Sequence, residues 1–337
     1  MQLRAPVRLG FSGTGYIARI HAKAATTLGY RVASVANHRP DGARAFAELF
    51  GAETIHDSVT ELVAAGGVDG IVVCTPNAQH APDAIAALDA GVPVLVEKPM
   101  AMDAAEALSM QRASERTGTP LMVAHCWRFD AETRWLRSRI EDGALGSLLR
   151  TKGYGVHVDW GPQGWFTQRA LAGGGALVDM GIHALDTARF LIGDPHPASV
   201  YARIATHYRD VDVDDTGLVV VTWDDGSVST IESGWWQPHA EGPEAATQLY
   251  GTEGYGRLFP TMLKRSGEEP EEPGFAFPRE PHCLPAMYEA QLEAFATSIA
   301  TGRVAQSGPG IGVENARILD AAYESARTGQ AIPLAVR

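Results

Sequence analysis

Two short segments of the sequence hold residue types that could carry acid–base chemistry. Asp179 and His183 stand four residues apart within a predicted helix, 174–192, so both side chains would project from one face. An aspartate that orients or charges a histidine is a recurring acid–base device. Lys98, in Glu97-Lys98-Pro99, ends a predicted strand, where its ammonium could hydrogen-bond a substrate oxygen. The plain alternatives are a structural ion pair and a surface lysine, and no third ligand stands at a spacing that favours a metal.

A glycine-rich turn near the N-terminus could hold a phosphate group. Gly13, Gly15 and Ala18 form a GxGxxA pattern between a predicted strand, 7–11, and a predicted helix, 16–28. The first glycine permits a tight turn, the second lets the backbone approach a pyrophosphate, and the helix N-terminus supplies N–H groups for the anion. The pattern predicts dinucleotide contacts from Ser12, Gly13, Thr14, Gly15, Tyr16 and Ile17.

The end of the second predicted strand, 31–36, bears on the choice of dinucleotide. An acid that binds the ribose hydroxyls is expected about 20 residues after the glycines. Asn37-His38-Arg39 stands there instead. Neutral Asn37 would not repel a 2′-phosphate, and Arg39 could pair with it, although a solvated turn is the alternative. The predicted cofactor is therefore NADP or NAD, with NADP slightly favoured.

Two different kinds of structure must position these segments. The first part of the chain alternates short apolar strands with amphipathic helices, which predicts βαβ units and a parallel sheet. After Gly146, long strands follow one another at 148–158, 199–207, 218–223 and 227–236, which favours an antiparallel sheet. We predict an α/β Rossmann dinucleotide-binding domain at 1–124. An α+β domain with an open, mainly antiparallel sheet follows at 125–337, and its last helices are candidates to pack back on the first domain.

Composition excludes several classes of function. The chain has 337 residues and carries 28 Lys and Arg against 40 Asp and Glu, a net charge of −12. A nucleic-acid binder or a ligand of anionic membranes needs a basic surface, so neither is expected. We expect a cytoplasmic protein with reduced thiols, because the sequence has no export signal, no long apolar span and three widely spaced cysteines, Cys74, Cys126 and Cys283.

Taken in their order along the chain, the motifs resemble those of the Gfo/Idh/MocA family of oxidoreductases. GxGxxA is followed by His21, a TPNxxH loop comprises Thr75, Pro76, Asn77 and His80, and an EKP strand end holds Lys98. Residues 173–186 match the family's GGGxLxDxGxHxxD helix. The resemblance covers nearly the whole chain. Asn37, and Cys126 where many members have Asn, depart from the family pattern.

The resemblance implies a role for each matching residue. Lys98 and His183 are expected to flank the reacting carbon, with His183 as the acid–base group, Lys98 holding or relaying the hydroxyl proton, and Asp179 positioning the substrate or His183. Further cofactor contacts are expected from Asn37, His38, Arg39, Thr75, Pro76, Asn77, His80, Glu97, Lys98 and Trp165. The expected substrate contacts are Lys98, His125, Trp127, Arg128, Tyr154, Trp165, Asp179 and His183.

The function implied by the resemblance is hydride transfer between NAD(P) and a carbinol or keto carbon of a sugar, cyclitol or related polyol. Two alternatives keep the fold: an NAD-dependent glycoside hydrolase that uses transient oxidation, and a dinucleotide-responsive regulatory protein. The regulatory alternative predicts loss of Lys98 or His183, and both are present. The resemblance also implies a homodimer or homotetramer.

Overall fold

The computed structural model describes residues 6–238, 243–277 and 284–335 in two compact units. Of these residues, those within Met1–Cys126 and Cys283–Val313 form the first unit, and those within Trp127–His282 and Glu314–Arg337 form the second. Cys283 lies outside the described residues. No helix in the described part of the chain is both long enough and apolar enough to cross a membrane.

The first unit is built on a six-stranded sheet in which all strands are parallel. Its strand order is β3-β2-β1-β4-β5-β6. The edge strand β3 is largely exposed, whereas β4, β5 and β6 are buried throughout, which explains their continuous runs of apolar residues. The predicted α/β Rossmann domain is confirmed. The elements are β1 Arg8–Ser12, α1 Tyr16–Thr27, β2 Arg31–Ala36, α2 Pro40–Phe50, β3 Thr54–His56, α3 Val59–Ala65, β4 Gly70–Val73, α4 His80–Asp89, β5 Val94–Glu97, α5 Ala104–Thr117 and β6 Leu121–Ala124.

A helix from the C-terminal part of the chain completes this unit. Helix α9, Pro285–Thr301, packs against α1 and against the start of β4. A Cβ added to Gly70 would lie 2.9 Å from side-chain atoms of Phe295 and Ile299, so the helix lies directly on the strand. The glycine at this position therefore permits close packing.

The second unit contains an eight-stranded sheet with the order β13-β12-β11-β7-β10-β9-β8-β14. The prediction of an open, mainly antiparallel sheet is confirmed. Strands β7 and β10 nevertheless pair in parallel, because two strands, β8 and β9, and two α-helices, α7 and α8, separate them along the chain and give it room to return. The elements are α6 Ala131–Glu141, β7 Leu148–Val158, α7 Arg169–Ala172, α8 Ile182–Leu191, β8 Pro197–Ala205, β9 Thr216–Trp223, β10 Val228–Gln237, β11 Ala245–Gly251, β12 Gly254–Leu258, β13 Met262–Arg265, α10 Pro309–Thr328, which begins in the first unit, and β14 Ile332–Pro333.

One face of this sheet is covered by the segment that holds Asp179 and His183. Leu177, Ile182 and Leu185 pack against Val219 and Ile231 of the sheet. The predicted helix 174–192 is partly wrong: Leu177–Gly181 forms a π-helical turn, and the α-helix begins at Ile182. Single π turns inside helices frequently occur at functional sites.

Candidate active site

The glycine turn after β1 has the geometry that a dinucleotide requires. Gly13 has φ +88°, and a Cβ there would lie 2.6 Å from the carbonyl oxygen of Cys74. At Gly15 an added Cβ would meet no atom within 4 Å. Helix α1 begins at Tyr16, has no acidic residue in its first turn, and receives no side-chain cap. Open space above N–H groups at a helix N-terminus fits a pyrophosphate.

A shared carboxylate joins the ends of β1 and β4. Ser12 donates a 2.7 Å hydrogen bond from Oγ to Oδ2 of Asp83, and Thr75 donates to the same oxygen at 3.4 Å. Burial raises the pKa of Asp83, although both hydrogen bonds oppose this effect. Strand order reverses between β1 and β4, and ligands of open α/β sheets bind where this happens. Ser12 and Thr75 are thus held at the expected cofactor position.

Residues 37–39, which follow β2 directly, contain no carboxylate that could bind a ribose. Asn37 donates from its amide nitrogen to Oγ1 of Thr14 and accepts the backbone N–H of Arg39 at 3.0 Å. His38 and Arg39 are exposed, as is Tyr16, while Ile17 is half-buried. The side chain of Asn37 therefore links the glycine turn to the strand end that distinguishes NAD from NADP.

The backbone of Lys98 is fixed by a buried ion pair. Glu97 places Oε1 2.7 Å from Nε2 of His21, and its Oε2 accepts the Lys98 backbone N–H at 3.0 Å. Burial by itself raises the pKa of Glu97, but the hydrogen bond and charge of His21, together with Lys98, hold it below its ordinary value. Glu97 and His21 therefore position Lys98, and both are buried.

His80 has a structural place rather than a cofactor-facing one. Its ring is 1% exposed, with Nδ1 2.8 Å from the carbonyl oxygen of Pro99 and Nε2 2.9 Å from that of Thr75. Burial is the main cause that lowers its pKa. His80 was expected to contact the cofactor, but its buried ring joins the loops after β4 and β5. Asn77 is also buried, and Pro76 is half-buried.

Asp179 and His183 are the partly accessible residues of an otherwise buried segment in the second unit. Of residues 174–191, these two alone are not buried. Oδ2 of Asp179 accepts a 3.0 Å hydrogen bond from Nε1 of Trp235, and the ring of His183 stacks on Trp127 with centroids 4.9 Å apart. Two polar side chains reach solvent from a segment that is otherwise core, which suits contact with a ligand.

The glycines before this turn are required by Asp214. Its carboxylate accepts the backbone N–H groups of Gly175 at 2.8 Å and Leu177 at 2.9 Å. A Cβ at Gly175 would lie 1.8 Å from the carbonyl oxygen of Asp214, and one at Gly174 would lie 2.0 Å from the hydroxyl of Tyr323. Sequence reasoning missed Asp214 and gave Tyr323 no role. The triple glycine was the only signal that another segment approaches here.

Several expected substrate residues occupy other places. Arg128 is 2% exposed and donates to Asp186 and Asp194 in four hydrogen bonds of 2.7–2.9 Å. Nε, Nη1 and Nη2 of Arg128 all donate to these two carboxylates, so the guanidinium has a structural role rather than the expected contact with substrate. Tyr154 lies on the face of β7 opposite to His157, because side chains alternate along a strand. It is thus not brought to the side of the sheet that Asp179 occupies.

The remaining expected residues follow strand ends or turns. His125 comes directly after β6 and is 2% exposed. Trp165 is half-buried and stacks on Phe166, with ring centroids 3.9 Å apart. In the described part of the chain, no group of three His, Cys, Asp or Glu side chains is arranged to hold a metal ion.

Comparison with known proteins identifies the family. Residues 7–125 match the model of an oxidoreductase family with an NAD-binding Rossmann fold, and residues 133–257 match the GFO/IDH/MocA C-terminal domain. The chain is 31% identical over 251 residues to 1,5-anhydro-D-fructose reductase of Ensifer adhaerens, covering 73% of this chain and 74% of that protein. It is 29% identical to D-xylose 1-dehydrogenase (NADP(+)) 2 of Haloferax volcanii, covering 97% of this chain and 98% of that one.

A solved structure shares the whole architecture. The crystal structure of aldose-aldose oxidoreductase from Caulobacter crescentus, complexed with glycerol, has a TM-score of 0.85 to this chain at 27% identity. The superposition covers 98% of this chain and 100% of that one. The first matched domain holds the glycine turn and the EKP strand end, and the second holds the segment with Asp179 and His183. The chain belongs to the Gfo/Idh/MocA family of oxidoreductases.

Proposed function

We propose that the protein transfers a hydride between NADP or NAD and a carbinol or keto carbon of a sugar, cyclitol or related polyol. The observation that carries this proposal is the accessibility of Asp179 and His183 in a segment whose other residues are buried. The similarity to a reductase and a dehydrogenase of sugars supports the substrate class.

Each of three residues is assigned a part of the reaction. A bound nicotinamide dinucleotide supplies the hydride acceptor when the substrate is oxidised. His183 accepts the hydroxyl proton and returns it in the reductive direction. Lys98, held through its backbone by Glu97, donates a hydrogen bond to the substrate oxygen. Asp179, fixed by Trp235, positions the substrate or His183.

The cofactor is assigned to the first unit. The glycine turn and the residues that follow β2 and β4 fit a dinucleotide, and we favour NADP slightly over NAD. This preference rests on charge: Asn37 brings no carboxylate to the ribose, and Arg39 is exposed and able to pair with a 2′-phosphate.

We further propose a cytoplasmic homodimer or homotetramer that forms through the uncovered face of the second unit's sheet. Tyr154, Tyr201 and Leu218 lie on that face, and the last two are 38% and 49% exposed. Light scattering on the purified protein measures the stoichiometry. A wild-type dimer or tetramer that Leu218→Glu converts to smaller species supports this surface, and a wild-type monomer contradicts it.

Thermal unfolding with added nucleotide tests the cofactor first. The cofactor-stripped protein is heated with NADP, with NAD and with neither. A nucleotide at a hundredfold excess over its Kd stabilises the native state by about 2.7 kcal/mol. We expect a larger shift with NADP. A protein that responds to neither nucleotide would contradict the proposal.

A panel of sugars and polyols, followed by nicotinamide absorbance, then tests the reaction. Lys98→Met and His183→Ala are each expected to abolish turnover. The nucleotide-induced shift should stay in His183→Ala, because His183 is not among the expected cofactor contacts, and should shrink in Lys98→Met, because Lys98 is one of them. Full turnover in both variants would overturn the assigned roles. Net glycoside hydrolysis without net change in the dinucleotide would replace the proposal with the hydrolase alternative.

A further inference from the structure

An imidazole lies between two carboxylates beside the π-helical turn. His157, near the end of β7, places Nε2 3.6 Å from Oδ2 of Asp179 and Nδ1 3.6 Å from Oε2 of Glu244. The side chains of His157, Asp179 and Glu244, which we call the carboxylate–imidazole cluster, are 6%, 13% and 13% exposed. A positive charge on the shielded ring would offset the desolvation and mutual repulsion of two carboxylates this close to it.

Tryptophans hold this cluster in one arrangement. Oε1 of Glu244 accepts Nε1 of Trp160 at 2.7 Å and the backbone N–H of Val158 at 3.1 Å. The ring of Trp160 stacks on His157 with centroids 3.6 Å apart. Trp235 donates to the same Asp179 oxygen that His157 approaches. Stacking on Trp160 therefore restricts the tilt of the imidazole ring, and each ring nitrogen faces one carboxylate.

The charges that face His157 favour its protonated form. Asp179 of the π-helical turn and Glu244 next to β11 are the charged groups that act on it. Burial by itself lowers the pKa of His157, but the two carboxylates raise it above its ordinary value. An imidazolium can donate from both nitrogens, whereas neutral imidazole donates from only one.

We propose that His157 is a positioning residue, which as an imidazolium between Glu244 and Asp179 fixes the Asp179 carboxylate for its substrate. This inference rests on the proposed function, because it matters for activity only if Asp179 contacts a substrate. The two carboxylate contacts, at 3.6 Å each, are the observations that assign this role to His157.

Nuclear magnetic resonance of the full chain labelled with ¹⁵N-histidine tests the charge state without any substrate. The His157 signals are identified by their loss in His157→Gln. We expect His157 to titrate above the ordinary value of about 6.5. Glu244→Gln, which does not touch Asp179, should move this titration to lower pH. His196→Gln removes an exposed histidine 3.8 Å from Glu314 and should leave the His157 signals unchanged.

Kinetics with the sugar or polyol found by the panel test the effect on Asp179. His157→Gln should lower kcat/KM about 10- to 100-fold, as small misplacements of catalytic groups do. It should also remove the fall in kcat/KM that the wild type shows as pH rises through the His157 titration. His196→Gln should keep the wild-type profile, and both variants should keep the nucleotide-induced thermal shift.

Two results would overturn the inference: a His157 titration below pH 6.5 or indifferent to Glu244→Gln, or an unchanged kcat/KM profile in His157→Gln. Failure of the proposed function looks different. In that case the coupled titration is observed and supports the cluster, while no sugar or polyol is turned over.

Discussion

The hydroxyl of Tyr323 donates a 2.7 Å hydrogen bond to Oδ1 of Asp214, the oxygen that also accepts the backbone N–H of Gly175. A residue of the last helix thereby supports the carboxylate that caps the segment holding Asp179 and His183. Burial and the neighbouring Asp214 raise the pKa of Tyr323 well above its ordinary value, so this hydroxyl keeps its proton for donation.

Tyr323→Phe removes this donor and keeps the ring. Because the hydrogen bond goes to a charged group, we expect a loss of about 1–3 kcal/mol in unfolding free energy and a lower thermal midpoint. Tyr16→Phe, compared without nucleotide, alters a side chain that is 73% exposed and should change stability by less than about 0.5 kcal/mol. Equal midpoints for the two variants would contradict the support given by Tyr323.

Gly175→Ala tests the close approach of Asp214. The added Cβ would lie 1.8 Å from a backbone oxygen, so the turn must move, at a cost of roughly 1–3 kcal/mol or more. We also expect turnover to fall, because Asp179 and His183 move with the turn. At Gly310, in α10, a Cβ meets no atom within 4 Å. Gly310→Ala should therefore stabilise by up to about 1 kcal/mol, and an equally destabilised control would weaken the steric explanation.

Glu97→Gln should change how stability depends on pH. The pKa of Glu97 is lower in the folded protein than its ordinary 4.5, so the ionised form stabilises the fold above pH 4.5. That contribution is lost as pH falls through the folded pKa. Thermal midpoints of wild type and Glu97→Gln should differ most near neutrality and converge in acid. Glu48→Gln, which removes an exposed carboxylate of the same unit, is the matched control for the loss of one acidic side chain.

Asn37→Asp should shift cofactor preference towards NAD. The new carboxylate would accept hydrogen bonds from ribose hydroxyls and repel a 2′-phosphate. We expect the Kd for NADP to rise at least about tenfold, equivalent to about 1.4 kcal/mol, while NAD binding improves or stays unchanged. Binding titrations with both nucleotides measure this ratio. An unaltered ratio would mean that Asn37 does not face the ribose.

The elements predicted best were those with a strong local pattern. The predicted strands 7–11 and 31–36 correspond to β1 and β2. The predicted strands 218–223 and 227–236 correspond to β9 and β10, which pair as antiparallel neighbours. The short strands Thr54–His56 and Met262–Arg265 and helix Ala131–Glu141 were not predicted. Strands of three or four residues are too brief to show alternation, and the buried face of α6 depends on partners distant in sequence.

Within the candidate site, residue types were easier to predict than contacts. Asp179, His183 and the glycine turn were marked by spacing alone. The partners that distinguish Glu97, Asp214 and His157 come from other elements: His21 lies 76 positions from Glu97, Tyr323 lies 109 from Asp214, and Asp179 lies 22 from His157. The resemblance implied that Arg128 contacts the substrate, but the fold brings Asp186 to its guanidinium. Contacts between distant segments depend on topology, which local patterns do not encode.

Helix α9 packs on the parallel sheet but is translated long after the strands of that sheet. The six parallel strands leave the ribosome first, but the helix that covers Gly70 through Phe295 and Ile299 is translated only after strands β7 to β13 of the second sheet. Until then, apolar surface at the start of β4 lacks that cover, which is the kind of surface that invites aggregation or a chaperone. The first unit can therefore complete its fold only after most of this chain has been translated.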